Sequence, residues 1–352
     1  MGKKRKSKGG RSFVKFILTV AILILIGFIA FTVYLNTESK ALNPGNNKAV
    51  NIVIPSGSGT EDIANILEEN KIIDNVTVFK LQSKTKGYEG RYKAGEYVLS
   101  SNMSMIEIMD SLVKGNTNTM RFTIPEGYTL NDIENRLAEK GMINNETFKN
   151  EIETGIFDYK FLKDAPVGEN RLEGYLYPET YDVFTSATEH DIIDRMLKQF
   201  DSLFTEEYYN RAEEIGLNIN EVITIASLIE RETRVTGEKE IISSVIKNRL
   251  EIGMPLQIDA TVQYALGEHK ERLTYADLKV ESPYNTYKIN GIPPGPICCP
   301  SIDSIKAALY PADTDYLYYV LKPSLDGTHA FSNNYNQFLK DKDDYIKNAF
   351  KE

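Results

Sequence analysis

The chain has 352 residues, of which 41% are hydrophobic and 26% charged, and its net charge is −9 at pH 7. That balance excludes a wholly disordered polymer, and the length allows two or three domains. The charge is unevenly placed: Lys3, Lys4, Arg5, Lys6, Lys8, Arg11 and Lys15 crowd the N-terminus, and without these seven positive charges the remainder sits near about −16.

A short basic run can bind nucleic-acid phosphates. Here it abuts an apolar segment, residues 13–35, in which Lys15 is the only charge. A stretch of about 23 apolar residues spans a hydrocarbon core of ~30 Å with some tilt. Residues 1–12 therefore read as a basic cytoplasmic stub and residues 13–35 as a single transmembrane helix in the plasma membrane. The positive-inside rule puts the N-terminus in the cytoplasm and everything after Tyr34 outside, and no nucleic-acid partner is expected. A cleaved signal peptide would have a shorter apolar core, about 7–15 residues, followed by a small-x-small site. Asn36-Thr37-Glu38-Ser39 does not supply one.

Residues 36–48 lack periodicity and read as a tether. Val50-Asn51-Ile52-Val53-Ile54 alternates as a strand, and Pro55-Ser56-Gly57-Ser58-Gly59-Thr60 turns into an amphipathic helix at Asp62-Ile63-Ala64-Asn65-Ile66-Leu67. The unit returns about 70 residues later. Ile54, Pro55 and Gly57 match Ile124, Pro125 and Gly127; Asp62, Ile63, Asn65, Leu67 and Glu69 match Asp132, Ile133, Asn135, Leu137 and Glu139; Ile73, Asn75 and Thr77 match Ile143, Asn145 and Thr147. Two copies do not make a solenoid, which usually needs at least ~3. Between them lie a strand at 92–99 and a short helix at 104–113. Strand, helix, helix, strand on this scale is similar to small glycan-binding modules of the LysM type; a spacer that binds nothing has the same pattern. We assign 49–120 to a LysM-like module and 121–200 to a second related module and connector.

Residues 172–181 are dense in aromatics and acids, and a helix follows at 192–200. Residues 201–352 carry most of the motifs and read as a catalytic domain, giving an α+β chain overall. Within it, 220–233 forms a helix capped by Asn220 or Asn218. Val222, Ile225, Ala226 and Ile229 line one face, Glu230 falls at its edge, Glu232 also lies on the apolar arc, and Arg231 points away. Periodicity nominates both carboxylates and does not choose between them. A partly buried Glu has a raised pKa, suited to a general acid near neutral pH. The alternative is a structural pair with Arg231, Arg234 or Arg249.

A further helix opens near Glu240 and ends at Lys247-Asn248-Arg249-Leu250. Gln257, Asp259, Thr261 and Tyr264 then place amide, carboxylate and hydroxyl groups close together, a set suited to sugar hydroxyls and acetamido groups. Tyr284, Asn285 and Tyr287 add aromatic faces and an amide, and Gly291-Ile292-Pro293-Pro294-Gly295-Pro296 forms a rigid turn. The two cysteines, Cys298 and Cys299, are neighbours and close no useful disulfide. His190, His269 and His329 lack metal-ligand spacing, so neither a metal nor another cofactor is expected.

These stretches closely resemble the endolytic murein transglycosylase, or YceG-like, family. The resemblance covers the apolar segment, the Ile54-Pro55 module, residues 172–181, 225–233 and 248–300, Ala307-Ala308-Leu309-Tyr310-Pro311-Ala312, and Tyr316-Leu317-Tyr318-Tyr319-Val320. It implies a LysM-like module joined to a domain that cuts peptidoglycan strands internally. By this resemblance the first Glu of Ile229-Glu230-Arg231-Glu232-Thr233 is catalytic. Glu230 would protonate the oxygen between N-acetylmuramic acid and N-acetylglucosamine. It would then act as base on the muramic C6 hydroxyl, which attacks C1 and closes a 1,6-anhydro ring. One residue in both roles needs no paired carboxylate. Gln257, Asp259, Tyr264, Tyr284, Asn285 and Tyr287 would position the glycan. The implied setting is nascent strands beside penicillin-binding synthases, where cutting terminates elongation. Cys298-Cys299-Pro300-Ser301 departs from the family, whose members more often carry small or amide residues there and Gly after the proline.

Two other readings remain open at this stage. A hydrolytic muramidase would need a second carboxylate about 5–9.5 Å from the acid, for which Asp259 or Glu232 could serve. A non-catalytic peptidoglycan-binding scaffold would need neither.

Overall fold

The computed structural model describes residues 9–46, 48–115, 119–268, 270 and 272–349, with side chains from Leu18 onward. Lys3, Lys4, Arg5, Lys6, Lys8 and His269 lie outside the described residues, as do the side chains of Arg11 and Lys15. The fold is mixed α/β and divides into two compact units, residues 1–120 and 121–352.

The first unit opens with helix α1 (Gly9–Glu38). Its stretch Leu18–Glu38, with a mean hydropathy of 2.7, is long and apolar enough to cross a membrane, and Leu23, Ile24 and Phe28 lie exposed along it. Strand β1 (Ala49–Ile54), helices α2 (Thr60–Glu69) and α3 (Val76–Lys86), strand β2 (Gly95–Ser100) and helix α4 (Met105–Lys114) follow. β1 and β2 pair antiparallel, from Ala49↔Ser100 to Ile54↔Gly95. The two-residue period sends Ile52 and Ile54 inward against Ile63, Leu67, Phe79, Ile108 and Leu112, and leaves Val53 outside.

Residues 36–48 are not the free tether that composition suggests. α1 runs on to Glu38, with Leu35 and Ser39 buried, and Gln82 donates its Nε2 to Ser39 Oγ at 2.8 Å. Beyond it, Met105 N–H bonds Ser39 O at 3.0 Å, Asn43 N–H bonds Ser101 O at 2.8 Å, and Ser100 Oγ bonds Asn46 O at 2.9 Å. Backbone polar groups that approach a folded surface need partners, and this segment finds them on α3, β2 and α4.

Strand β3 (Thr119–Thr123) leads into the second unit, followed by helices α5 (Leu130–Glu139) and α6 (Asn145–Thr154) and strand β4 (Thr180–Phe184). β3 pairs with β4: Thr123 meets Thr180 at 2.9 Å, and Arg121 forks onto Asp182 with two 2.8 Å bonds. The order β–α–α–β thus occurs twice. Asp62 and Asp132 play the same part, each accepting the N–H of its helix cap, Gly59 or Thr129, at 2.9 Å. The second interhelix loop is one residue shorter. Asn75 caps α3 through Val78 N–H, whereas Asn144, not Asn145, caps α6 through Thr147 N–H, so the sequence match slips by one there.

Helices α7 (Glu189–Leu203), α8 (Glu206–Glu214), α9 (Ile219–Glu232), α10 (Lys239–Glu251), α11 (Asp259–Leu266) and α12 (Ile302–Leu309) build the rest, closed by the antiparallel hairpin β5 (Tyr318–Leu321) and β6 (His329–Ser332) and helix α13 (Tyr335–Ala349). α9 is the axis, packed against both α10 and α12. The turn before β4 inserts Leu172, Glu173, Tyr175 and Leu176 into this core. Gly174 makes that insertion possible. Its φ is +85°, and a Cβ there would lie 2.6 Å from Pro296 Cβ and 3.0 Å from Ile223 Cγ2. Gly174→Ala should therefore destabilise the second unit by roughly 3 kcal/mol or more, combining left-handed strain with overpacking; a thermal melt of the two proteins measures it.

Candidate active site

Asn218 caps α9 by the reciprocal pattern. It accepts Glu221 N–H at 2.9 Å, and its own N–H goes to Glu221 Oε2 at 2.8 Å. Asn220, the other candidate cap, donates to Pro294 O instead. From Val222 to Ile229 every side chain is buried, so the helix is enclosed on all sides rather than amphipathic. The two carboxylates are sorted by what meets the last turn. Glu230 turns to the N-terminus of α12 and Glu232 to β5.

Four donors converge on Glu230 Oε2: Ser301 N–H at 3.0 Å, Ser301 Oγ at 2.5 Å, Ser304 Oγ at 2.6 Å and Lys239 Nζ at 3.2 Å. Ser301 Oγ also receives Lys239 Nζ at 2.8 Å and Ser304 N–H at 3.3 Å, which directs its proton to the carboxylate. Among the described residues no donor reaches Oε1. Glu230 is thus a carboxylate with one oxygen fixed at a helix N-terminus and the other without a donor among the described residues.

This environment reverses the expected pKa. Burial alone pushes the Glu230 carboxyl up, but the Ser301 and Ser304 hydroxyls, the Ser301 N–H and Lys239 together outweigh it and hold it below the usual carboxylate range. These donors favour the ionised carboxylate. Glu232 does show a raised value: burial pushes it to about 7, although the Tyr319 hydroxyl bonds it at 2.7 Å.

Lys239 is itself 6% exposed, an ammonium almost removed from water. The adjacent Glu238 fixes it by accepting His329 N–H at 2.9 Å and sharing a 2.7 Å bond with the His329 ring. On the other side, Gly127 N–H bonds Cys299 O at 2.9 Å and Cys299 N–H bonds Tyr128 O at 2.8 Å, steadying the segment that ends in Ser301. Cys298 and Cys299 are free thiols, fully buried, with burial pushing both pKa values well up.

The expected substrate residues fall into two groups. The Tyr264 hydroxyl donates to Glu173 Oε2 at 3.2 Å, with its ring 4.8 Å from that of Tyr284. The Tyr287 hydroxyl donates to Asp259 Oδ1 at 2.5 Å. Gln257 is exposed on a backbone with φ of +50°, its N–H on Thr286 O. Asn285 is fully buried, both amide protons spent on the carbonyls of Leu278 and Val280 and its Oδ1 on Tyr287 N–H, so it shapes the loop. A cavity of about 470 Å³, lined among others by Asn131, Asn170, Glu173, Arg231, Gln263 and Tyr264, opens beside the first group; Glu230 is not on its wall. Glu173 is 2% exposed, and burial pushes it up to about 8 despite the Leu130 N–H at 3.1 Å and the Tyr264 hydroxyl.

Sequence reasoning did not single out Lys239, Ser304 or Glu173. Lys239 sits in the run Glu238-Lys239-Glu240, which reads as a solvated face. Ser304 follows Ser301 by three, a cap-like spacing that was legible. Among the described residues no group of acids, histidines and cysteines could hold a metal.

A sequence model of the YceG-like family matches residues 52–344. The endolytic murein transglycosylase of Bacillus subtilis (strain 168) is 38% identical over 312 residues, covering 84% of this chain and 85% of that protein. The protein of the same name from Streptococcus pneumoniae serotype 2 (strain D39) is 31% identical over 348 residues; the match takes in 91% of this chain and 62% of that one. A 2.6 Å crystal structure of a yceG-like protein from Listeria monocytogenes superposes with a TM-score of 0.56 at 35% identity, over 83% of this chain and 99% of that one.

Ser301→Gly, which removes a donor to Glu230, should raise the carboxyl's pKa and move the acid limb of the kcat/KM profile to higher pH; a pH–rate series on wild type and variant reads the shift. For Glu173, the native state keeps a proton that the unfolded chain releases above about pH 4.3. Its burial therefore costs stability increasingly as pH rises toward about 8. Glu173→Gln should melt above wild type at pH 8, by on the order of a few kcal/mol, with the gap closing toward pH 5.

Proposed function

The chain belongs to the YceG-like family, and from that membership and the Glu230 site we propose that it is a membrane-anchored peptidoglycan lytic transglycosylase. It cuts the bond between N-acetylmuramic acid and N-acetylglucosamine within glycan strands and leaves 1,6-anhydro ends. The observation that carries the reading is the Glu230 carboxylate, with Oε2 held by four donors and, among the described residues, no donor on Oε1. Such a group suits removal of the proton from the muramic C6 hydroxyl, whose oxygen then attacks C1. Fixing one oxygen keeps the other aimed without reorganisation during the reaction.

The length and hydropathy of α1 support a single-pass anchor, and the basic residues before it support a cytoplasmic N-terminus. The β–α–α–β order of the first unit supports a LysM-like glycan-binding role. An anchored cutter reaches nascent strands before mature wall, which favours strand termination beside the penicillin-binding synthases.

The test is a digest of un-crosslinked peptidoglycan by the detergent-solubilised full chain, read by mass spectrometry. Internal fragments with anhydro-muramic ends are expected, with Glu230→Gln slower by at least ~10²-fold. Reducing ends would instead make it a hydrolytic muramidase. Wild-type inactivity on substrate shown to be accessible would leave a binding scaffold.

A further inference from the structure

The cavity of about 470 Å³ beside Tyr264 is built from the segments that hold Glu230, although Glu230 itself is off its wall. Arg231, on the wall, follows Glu230 directly, so their Cα atoms are about 3.8 Å apart. Ile297, also on the wall, gives its N–H to Ser227 Oγ on α9 at 3.0 Å and shortly precedes Ser301. The volume falls in the range of about 300–1,000 Å³ typical of small-ligand sites. An occupant of this cavity meets a part of the substrate beside the bond that is cut, not the bond itself.

Leu130, Ala260 and Ile297 make a buried floor, joined by the Glu173 carboxyl. That carboxyl accepts Leu130 N–H at 3.1 Å and the Tyr264 hydroxyl at 3.2 Å, and burial pushes it up to about 8. At neutral pH the floor therefore offers a hydrogen bond without a charge. The rim is polar and carries both signs. Arg231 commits Nη1 to Gly127 O at 3.1 Å, and among the described residues its other N–H groups make no hydrogen bond. Asp132, which caps α5, and Glu268, paired with Lys270 at 3.0 Å, supply the opposite charge. The side-chain amides of Asn131 and Asn170 also have no hydrogen bond among the described residues. A glycan strand has no amine, and its muramic carboxylates are consumed wherever a peptide is attached. A peptide has amide groups that need donors and acceptors together, and free carboxylate and amino groups besides. The second set matches an amide-bearing rim of mixed charge.

We propose that this cavity holds the peptide stem that branches from a muramic residue beside the scissile bond, with Asn131, Asn170 and Arg231 as its specificity-determining contacts. The assignment rests on the transglycosylase reading above. The stem leaves each muramic residue from one position on the ring, so seating it fixes which face of the sugar turns toward Glu230 and in what register. Binding energy from a part of the substrate that does not react is thereby used to place the part that does. A strand stripped of its stems lacks that placement.

Two measurements on the detergent-solubilised full chain test it. In the first, un-crosslinked glycan is offered with its stems or after removal of the stems by an amidase, and anhydro ends are counted by mass spectrometry. In the second, Glu230→Gln is titrated calorimetrically with N-acetylmuramyl-L-alanyl-D-isoglutamine or with the methyl amide of N-acetylmuramic acid, which lacks the peptide. Wild type should cleave the stem-bearing glycan with a kcat/KM at least ~10-fold higher, mainly through KM, and the muramyl dipeptide should bind at least ~10-fold more tightly than the methyl amide. The double variant Asn131→Ala/Asn170→Ala, and Asn131→Trp at an exposed position of the rim, should melt with wild type and bring both ratios to within about two-fold. Equal cleavage of the two glycans by wild type, or ratios that survive in both variants, overturns the stem site and leaves the functional reading standing. Wild type that releases no anhydro ends from either glycan overturns the functional reading. The titration then decides the cavity alone: a preference for the dipeptide that the variants lose supports the stem site, and equal binding of the two ligands overturns it.

Discussion

Everything at the site depends on where Glu230 Oε2 is held. A carboxylate and an ammonium both nearly out of water are unfavourable unless their geometry is tight and the remaining donors are satisfied. Here the last turn of α9, the first turn of α10 and the cap of α12 must meet at one oxygen. The meeting constrains elements far apart in sequence. His329 on β6 holds Glu238 and so sets Lys239, and the 126–128 loop holds Cys299 and so sets Ser301. The complete burial of α9 gives this convergence a rigid support.

The acidic groups illustrate how environment assigns roles. Glu230 and Glu232 are two residues apart on one helix, yet one is held ionised by four donors and the other is pushed to about 7 by burial. Glu173, raised further, is built into the turn that Gly174 allows. The Ser301 hydroxyl is the shortest contact on Glu230. In this chain a side chain adds a direct donor to a charge that the backbone N–H and helix end already favour.

The two β–α–α–β copies have met different fates. The first closes its own small core within unit 1, and the end of α1 is seated in it through Leu35, Ser39 and Gln82. The second has a long excursion before its closing strand, and that excursion carries Glu173 and the aromatic turn into the core around α9. Its β3–α5 loop, the counterpart of a solvent-facing turn in the first copy, is tied to the end of α9 by the Arg231 bond to Gly127 O.

Much of this was legible in the chain itself. The apolar span, the 70-residue repeat, the helix around 220–232 and the motif containing Glu230 follow from local composition and period, because those signals act over a few residues. Periodicity could not separate Glu230 from Glu232, since it assumes one buried face and α9 has none exposed between Val222 and Ile229. Nor could it find Lys239, which is hydrophilic in sequence and buried only because an acid and two serines await it, or see that Asn285 is turned into its own loop. The direction of the Glu230 pKa was misjudged for the same reason. Burial can be guessed from a pattern, whereas the donors that overrule it come from residues 71 and 74 positions away at Ser301 and Ser304. The sequence by itself determined which groups were present and which segments were helical; only the tertiary structure decided their charge states and partners, because electrostatic energy depends on distance in space and not along the chain.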